Sequence, residues 1–485
     1  MRFAIACCLL LVTSSLPAKA APVTRDISFQ LDQAREGYLA SLPRPISAHD
    51  WDARFRSARW FWEAQPSDSL RKYEKIVQEV AKTAQAPDPG DPYFRRKAIW
   101  VRPYASDAID LRVLEVLDRA QALGMTEVYL ETFYHGQVSY LGSRTFPPRW
   151  PKLNVAKVYA REAHHRGMKL YAWVHALRWG EEQVQSGWAE GVANGYGDSP
   201  IQAEGRGSAF VSPSSPKVAE KLGALLEEIS DTGYFDGIWL DYLRYPLAAR
   251  SRPSQGDPRL YWGFAPSTRT AFRRKRPDLD TSEFRTFLNT GLAPNPDLRS
   301  RWMSAWRSFL AGELQDLVAV IREKVPPKVK LGLVFHPSSY LNEDDVRAQD
   351  ALRWLPYFDE ASPMCYAYDP DLDPVDASRL RATIDKELSS VEQFIAAMPG
   401  KKPELIAALA GEPQPGSPEL TPPRRHWPLS AQVAYLKGRR VEGAFRSLGG
   451  VALFSYGWLW PASDASRRAT DAPWSEAGRS IQTPQ

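Results

Sequence analysis

The run Tyr234-Phe-Asp-Gly-Ile-Trp-Leu-Asp-Tyr-Leu-Arg-Tyr-Pro246 ends an apolar stretch in an acid, Asp241, and sets it among tyrosines and one arginine, Arg244. Side chains alternate along a strand with a period of two. Gly237, Trp239 and Asp241 therefore share one side, and Ile238, Leu240 and Tyr242 the other. A carboxylate is costly in an apolar layer, which predicts that the Asp241 side faces a polar, solvent-reachable pocket while Ile238 and Leu240 pack under helices. Cleavage of a glycosidic bond uses two carboxyl groups flanking it, one as acid and one as nucleophile or base. Asp241 is the first candidate. Glu131, Asp369 at the end of Met364-Cys-Tyr-Ala-Tyr-Asp369, and Glu412 are candidate partners, with Glu131 and Asp369 ahead. An ion pair with Arg102 or Arg244 is the competing reading of either acid.

Holding such groups together takes a scaffold, and from Lys97 onward short apolar strands alternate with amphipathic helical stretches, the pattern of a parallel α/β fold. Eight strands are expected, at Ala98 to Pro103, Glu127 to Phe133, Leu170 to His175, Phe235 to Asp241, Leu331 to His336, Glu360 to Tyr366, Leu405 to Ala410 and Val451 to Trp458. Helical patterns separate them at Asp107 to Leu123, Asn154 to Arg166, Pro216 to Ser230, Arg301 to Lys324 and Ala431 to Leu448. Eight units in one run predict a (β/α)8 TIM barrel over residues 97–462. Long interruptions at 176–212 and 247–300, after the third and fourth strands, are expected to shape its active-site face.

Barrel enzymes keep their chemistry at the C-terminal mouth. Alternation turns Trp100 and Arg102 inward on the first strand, Tyr129 and Glu131 on the second, Tyr171, Trp173 and His175 on the third, and Val334 and His336 on the fifth. With Asp241, five polar or ionisable residues thus converge on one mouth, which packing alone does not explain. Tyr134, His135, Trp179, Tyr242, Tyr368 and Trp458 are candidates for stacking on sugar rings, with Trp173 and Tyr366 beside them. His175, His336, Glu131 and Asp241 could hold a divalent ion, but no close His-x-His pair supports it. His164 and His165 are adjacent on a helix and face apart. No metal or cofactor is expected, and neither a Gly-rich phosphate loop nor a Gly-x-Ser-x-Gly elbow occurs.

Residues 1–20 read as a signal peptide, with an apolar stretch from Phe3 to Val12 and an Ala-x-Ala site before Ala21. That stretch is too short to span a bilayer. An exported protein, periplasmic or extracellular, is expected. Cleavage would remove Arg2 and Lys19, taking the formal charge from +5 to +3 (60 basic against 57 acidic residues), too mild to imply nucleic acid. It would also remove Cys7 and Cys8, leaving Cys365 alone and no intramolecular disulfide. Residues 21–96 carry helix-like pieces at Trp51 to Glu63 and Leu70 to Lys82 and read as an N-terminal helical extension, broken at Pro87 to Pro92. Residues 463–485 read as a polar tail. Arg273-Arg-Lys-Arg276 reads as a solvated face. The 17 Trp and 20 Tyr suit carbohydrate work better than phosphate or DNA work.

Ala98-Ile-Trp-Val-Arg102, Val211-Ser-Pro-Ser-Ser-Pro216 and above all Phe235-Asp-Gly-Ile-Trp-Leu-Asp-Tyr-Leu-Arg-Tyr-Pro246 resemble the glycosyl-hydrolase-like family 10 proteins, over roughly residues 95 to 460. The resemblance implies a (β/α)8 barrel, a secreted or envelope protein, and hydrolysis of a glycosidic bond, in some members within peptidoglycan glycan strands. Asp241 occupies the motif's acidic position. The commonest form of that motif has two successive Asp residues, whereas Tyr242 follows Asp241 here, which leaves the second carboxylate open. Ser362-Pro-Met-Cys-Tyr366 is similar to the Met-x-Tyr strand of family 18 chitinases, where the tyrosine and a nearby Asp handle an N-acetyl sugar. The partner expected is a carbohydrate polymer or oligosaccharide. The competing classes are a catalytically silent glycan-binding barrel and a metal-dependent hydrolase of a substituted sugar, and the oligomeric state is not legible.

Overall fold

The structure is a computed structural model. It describes residues 93–459 apart from 110–111, 199–207, 247–256, 337–346, 367, 370–376, 411–424 and 427–428, together with 464, 467 and 468. The expected signal peptide, the helical extension up to residue 92 and Glu412 lie outside the described residues, as do the side chains of Tyr368, Asp369 and Trp458.

Eight parallel strands close into a barrel ringed by helices. They are β1 (Arg96–Val101), β2 (Glu127–Tyr134), β3 (Lys169–His175), β4 (Gly237–Asp241), β5 (Lys330–Phe335), β6 (Glu360–Pro363), β7 (Glu404–Ala410) and β8 (Leu448–Phe454). Each pairs with its successor, and β8 pairs back onto β1 through Ala98↔Ala452 and Ile99↔Leu453, so no edge is left in the sheet. The larger described helices are α1 (Arg112–Ala122), α2 (Val155–His165), α3 (Pro216–Asp231), α4 (Pro266–Lys275), α5 (Ser282–Thr290), α6 (Pro296–Lys324), α7 (Ala377–Ala397) and α8 (Leu429–Val441). Local chemistry starts several of them. Asn154 and Asn295 accept backbone N–H bonds at the first turns of α2 and α6, and α3 and α6 open on proline. In the second expected loop region, the described residues 257–300 hold α4, α5 and the start of α6. Arg273 and Arg274 are exposed on α4, as a solvated face requires.

Alternation divides the core as the period of two predicts. Ile99, Val101, Val128, Leu130, Leu170, Ala172, Val174, Ile238, Leu240, Leu331 and Leu333 belong to the large apolar layer between strands and helices. Trp100, Tyr129, Tyr171, Trp173, Trp239, Val334, Ile406 and Ala452 fill the interior. The interior is unusually aromatic, and small residues make room for it. A Cβ at Gly332 would lie 2.4 Å from the Trp239 ring, so only glycine lets that indole cross the barrel there.

The N-terminal end is plugged by charge. Arg96 donates to Glu127 at 2.7 Å with two nitrogens, to Glu360 at 2.6 Å, to Glu404 at 3.1 Å and to the Tyr171 hydroxyl at 3.1 Å.

Of the residues expected as a polar tail, 464, 467 and 468 are described. Arg467 is 1% exposed and donates to Asp107 at 2.7 and 2.6 Å, to the Tyr159 hydroxyl at 3.2 Å and to the carbonyl of Arg102 at 2.9 Å. Asp464 accepts from Arg467 and Arg468. Arg467 is therefore stapled under the start of the barrel, directly behind a mouth residue. A buried polar pair of this kind needs its partner on a distant element, and residue types alone do not reveal it.

Candidate active site

Asp241 ends β4 with its carboxyl at the mouth, half-buried. The backbone holds it from below, since Ala176 N–H donates to its carbonyl at 2.8 Å and His175 is its register partner on β3. Two donors hold the carboxyl itself. The Tyr242 N–H reaches Oδ1 at 2.7 Å and the Trp173 indole N–H reaches Oδ2 at 3.1 Å. Burial pushes its pKa up to about 6, against the opposing pull of those two bonds and of Arg244 and Arg178. A carboxyl that titrates there can both give and take a proton near neutrality.

Glu131 behaves differently. Its side chain is fully buried, and Arg102 Nε donates to both its oxygens at 3.2 and 3.1 Å. Arg149 approaches at 3.8 Å and His175 Nε2 lies 3.6 Å away. The ion pair with Arg102 is thus present, and this carboxylate offers no surface to a sugar as it stands. Glu131→Gln should lower stability by about 2 kcal/mol by weakening bonds to a charged acceptor. Chemical denaturation would check it; an unchanged midpoint would mean the pair contributes nothing.

The three histidines near the mouth sit in a basic environment. His175 is 1% exposed, its imidazole pKa lowered by burial and then by Arg178, Arg102 and Arg244. His135 falls to about 3 for the same reasons, stacks on Tyr134 at 3.7 Å between ring centroids, and takes a left-handed backbone at φ 49. The His336 imidazole is also lowered, by burial and by Arg347 and Arg244, and the His336 backbone N–H donates to Gln349 Oε1 at 3.0 Å. Among the described residues no three of His, Cys, Asp and Glu come together to hold a metal ion.

The candidate aromatics divide. Tyr134, Tyr242 and Tyr366 are half-buried at the mouth, and Tyr366 feels the Asp241 charge while packing 5.8 Å from Phe454. Trp173 is 3% exposed, inside the barrel, and offers Asp241 an N–H rather than a sugar a face. Trp179 corrects the stacking expectation. It is fully buried, donates to the carbonyl of Ala176 at 2.8 Å and packs edge-on against Phe133 and Phe146. Its neighbour Arg178 reaches the mouth instead, because residues 178–180 form a short strand antiparallel to 208–210 and alternation sends adjacent side chains to opposite sides. Arg178 was missed, although the same parity that placed Asp241 could have found it. Arg149, Phe210 and Gln349 were missed for lack of any local signal. Arg244 is buried, with Nη1 donating to the carbonyl of Tyr245 at 3.1 Å. Tyr368 and Asp369 form a two-residue strand antiparallel to Arg425–His426.

A closed parallel barrel with an acid, a basic rim and tyrosines at its C-terminal mouth has the architecture of a TIM-barrel enzyme. The sequence matches no protein-family model and no curated protein. Among solved structures, the chain is similar to the PgaB (BpsB) glycoside hydrolase domain from Bordetella bronchiseptica, at 14% identity over 77% of this chain and 98% of that one, TM-score 0.48. It is also similar to a β-galactosidase from the psychrophilic Marinomonas ef1, at 11% identity and TM-score 0.47, over 74% of this chain and 54% of that one. A third is a GH18 chitinase from Pseudoalteromonas aurantia, at 12% identity and TM-score 0.38, over 79% and 98%. No described helix is long and apolar enough to cross a membrane.

Proposed function

We propose that the protein is a secreted glycoside hydrolase acting on a polysaccharide or envelope glycan, peptidoglycan strands among the candidates, with Asp241 as the proton-transferring carboxyl. The observation that carries this reading is the Asp241 carboxyl itself, at the mouth, held by Trp173 and the Tyr242 N–H, with a pKa of about 6. The resemblance of the fourth-strand motif to glycosyl-hydrolase-like family 10 supports it, and so does the apolar leader at the N-terminus. Asp369 is the first choice for the second carboxyl, because Glu131 is already engaged by Arg102 and Arg149. Glu131 then acts as a positioning residue that holds Arg102 and faces His175.

The mechanism sets the sign of the pH dependence. A general acid must be protonated in the complex, so turnover should decline above about pH 6 as Asp241 ionises, the opposite, acid limb belonging to the partner carboxylate. The Trp173 N–H stabilises the ionised form, so Trp173→Phe should raise the pKa and move that alkaline limb upward. Release of reducing ends from a glycan panel, followed against pH, tests both. A limb that stays put in Trp173→Phe would assign it to another group, and binding without turnover across the panel would favour the silent glycan-binding barrel.

A further inference from the structure

Between β4 and β5, helices α4, α5 and α6 close around a cavity of about 100 Å³ whose lining shares no residue with the barrel mouth. Its walls are mainly aromatic. Phe264, Phe272, Leu288 and Trp306 are buried there, with Phe272 edge-on to the Trp306 ring at 5.3 Å and Phe264 at 5.9 Å. Arg269, Phe272 and Arg273 stand at i, i+3 and i+4 on α4 and so share one face, which carries the apolar wall out to two cations at the rim. Both arginines are exposed, and Arg269 lies 5.4 Å over the Phe264 ring. Asp280 and Arg285, also in the lining, are bonded to each other at 2.8 Å. Three arginines against one aspartate leave the lining a surplus of two positive charges.

One polar group in the wall is unsatisfied. Trp306 is 1% exposed, and its indole N–H has no hydrogen-bond partner among the described residues. A Cβ at Gly263 would lie 2.4 Å from Trp306 Cζ2 and 3.0 Å from Cη2, so the ring edge that continues to Nε1 lies against Gly263, itself part of the lining. A buried donor without an acceptor is costly, and an oxygen brought in by a ligand removes that cost.

We propose that this cavity binds a small aromatic acid, its ring among Phe264, Phe272 and Trp306, a hydroxyl oxygen accepting from Trp306 Nε1 and its carboxylate at the Arg269 and Arg273 rim. The size suits one ring. An enclosed apolar cavity of about 150 Å³ takes up benzene, and this smaller one opens at its rim, where the carboxylate stays outside the walls. A sugar ring would bury several hydroxyls against apolar walls that offer one donor. The inference stands independently of the glycosidase reading.

Isothermal titration of the full chain with 4-hydroxyphenylacetate, phenylacetate and tyramine tests it. Saturable binding of 4-hydroxyphenylacetate is expected, weakened by up to about tenfold in phenylacetate, which lacks the acceptor, and by about tenfold or more in tyramine, whose ammonium meets the arginines. Trp306→Phe should narrow the gap between the two acids, since it removes the N–H that tells them apart. Arg273→Gln should weaken both acids alike, and Arg274→Gln, exposed on α4 outside the lining, should change neither. The ligand series on the unaltered protein needs no variant to fold. No saturation below about 10 mM, affinity that ignores either the hydroxyl or the charge, or a gap between the acids that survives Trp306→Phe would overturn the inference.

Discussion

Asp241→Asn should lower turnover of the cleaved glycan by about 10²–10⁴-fold, the range general acid–base groups supply, while glycan binding and folding persist. The change keeps shape and volume. An amide oxygen can still accept the Tyr242 N–H that now reaches Oδ1 at 2.7 Å, while the Trp173 N–H, at 3.1 Å from Oδ2, must share or lose its partner. What disappears is the proton. Asp241 titrates at about 6 because it is largely desolvated, and an amide does not titrate at all, so the alkaline limb of the rate profile should vanish with the activity. Parallel measurements of kcat, KM and the melting curve check it. Activity within tenfold of the parent protein, with the limb intact, would remove Asp241 from the mechanism.

Arg467→Met should destabilise the fold by about 3–5 kcal/mol, because it strands a buried carboxylate. Arg467 and Asp107 are both fully shielded and 2.6 Å apart, and Asp107 has its remaining bonds to the Tyr104 N–H and the Tyr159 hydroxyl. Neither tyrosine offers a compensating charge. The double variant Asp107→Leu with Arg467→Met should recover much of the loss, since an apolar pair of similar volume carries no desolvation cost. Urea denaturation of the parent protein, the two single variants Arg467→Met and Asp107→Leu, and the double variant reads the cycle, and a loss under about 1 kcal/mol in Arg467→Met would show that water reaches the pair. A functional effect should follow as well. Arg467 donates to the carbonyl of Arg102, so loosening it frees the residue that engages Glu131 and stands over Tyr134.

Much of the fold was legible because backbone alternation is local. Trp100, Tyr129, Trp173 and Trp239 could be placed inside, and Ile99, Leu130 and Leu240 outside, from a period of two and the cost of burying charge. Alternation along the barrel strands did not extend to Trp179, which was picked by residue type alone and lies where the chain has left the barrel wall for a two-strand ribbon with its own register. Helix bounds were read to within a turn at α2 and α3, but not at α6, whose capped start at Asn295 and Pro296 precedes the apolar spacing that identifies it, nor at α8, which ends at Val441 although the apolar spacing runs on to Leu448, the first residue of β8. Glu131 shows where pattern reading stops. Its parity was plain and an ion pair with Arg102 was an open alternative, but whether that pair forms is decided only when β1 and β2 come together, with Arg149 approaching from elsewhere.

By itself, then, the sequence determined a repeating β/α architecture, the side of each strand that looks inward, and one acid delivered to the mouth by β4. Those follow from properties carried within a few residues: side-chain direction, apolar spacing and capping. Only the tertiary structure decided how the mouth's charges are shared. It engaged Glu131 with Arg102, brought Arg178 and Arg244 onto Tyr242 beside Asp241, and tied Arg467 beneath them. Electrostatic partnership depends on separation in space and on exclusion of water, and both are set when distant segments close the barrel.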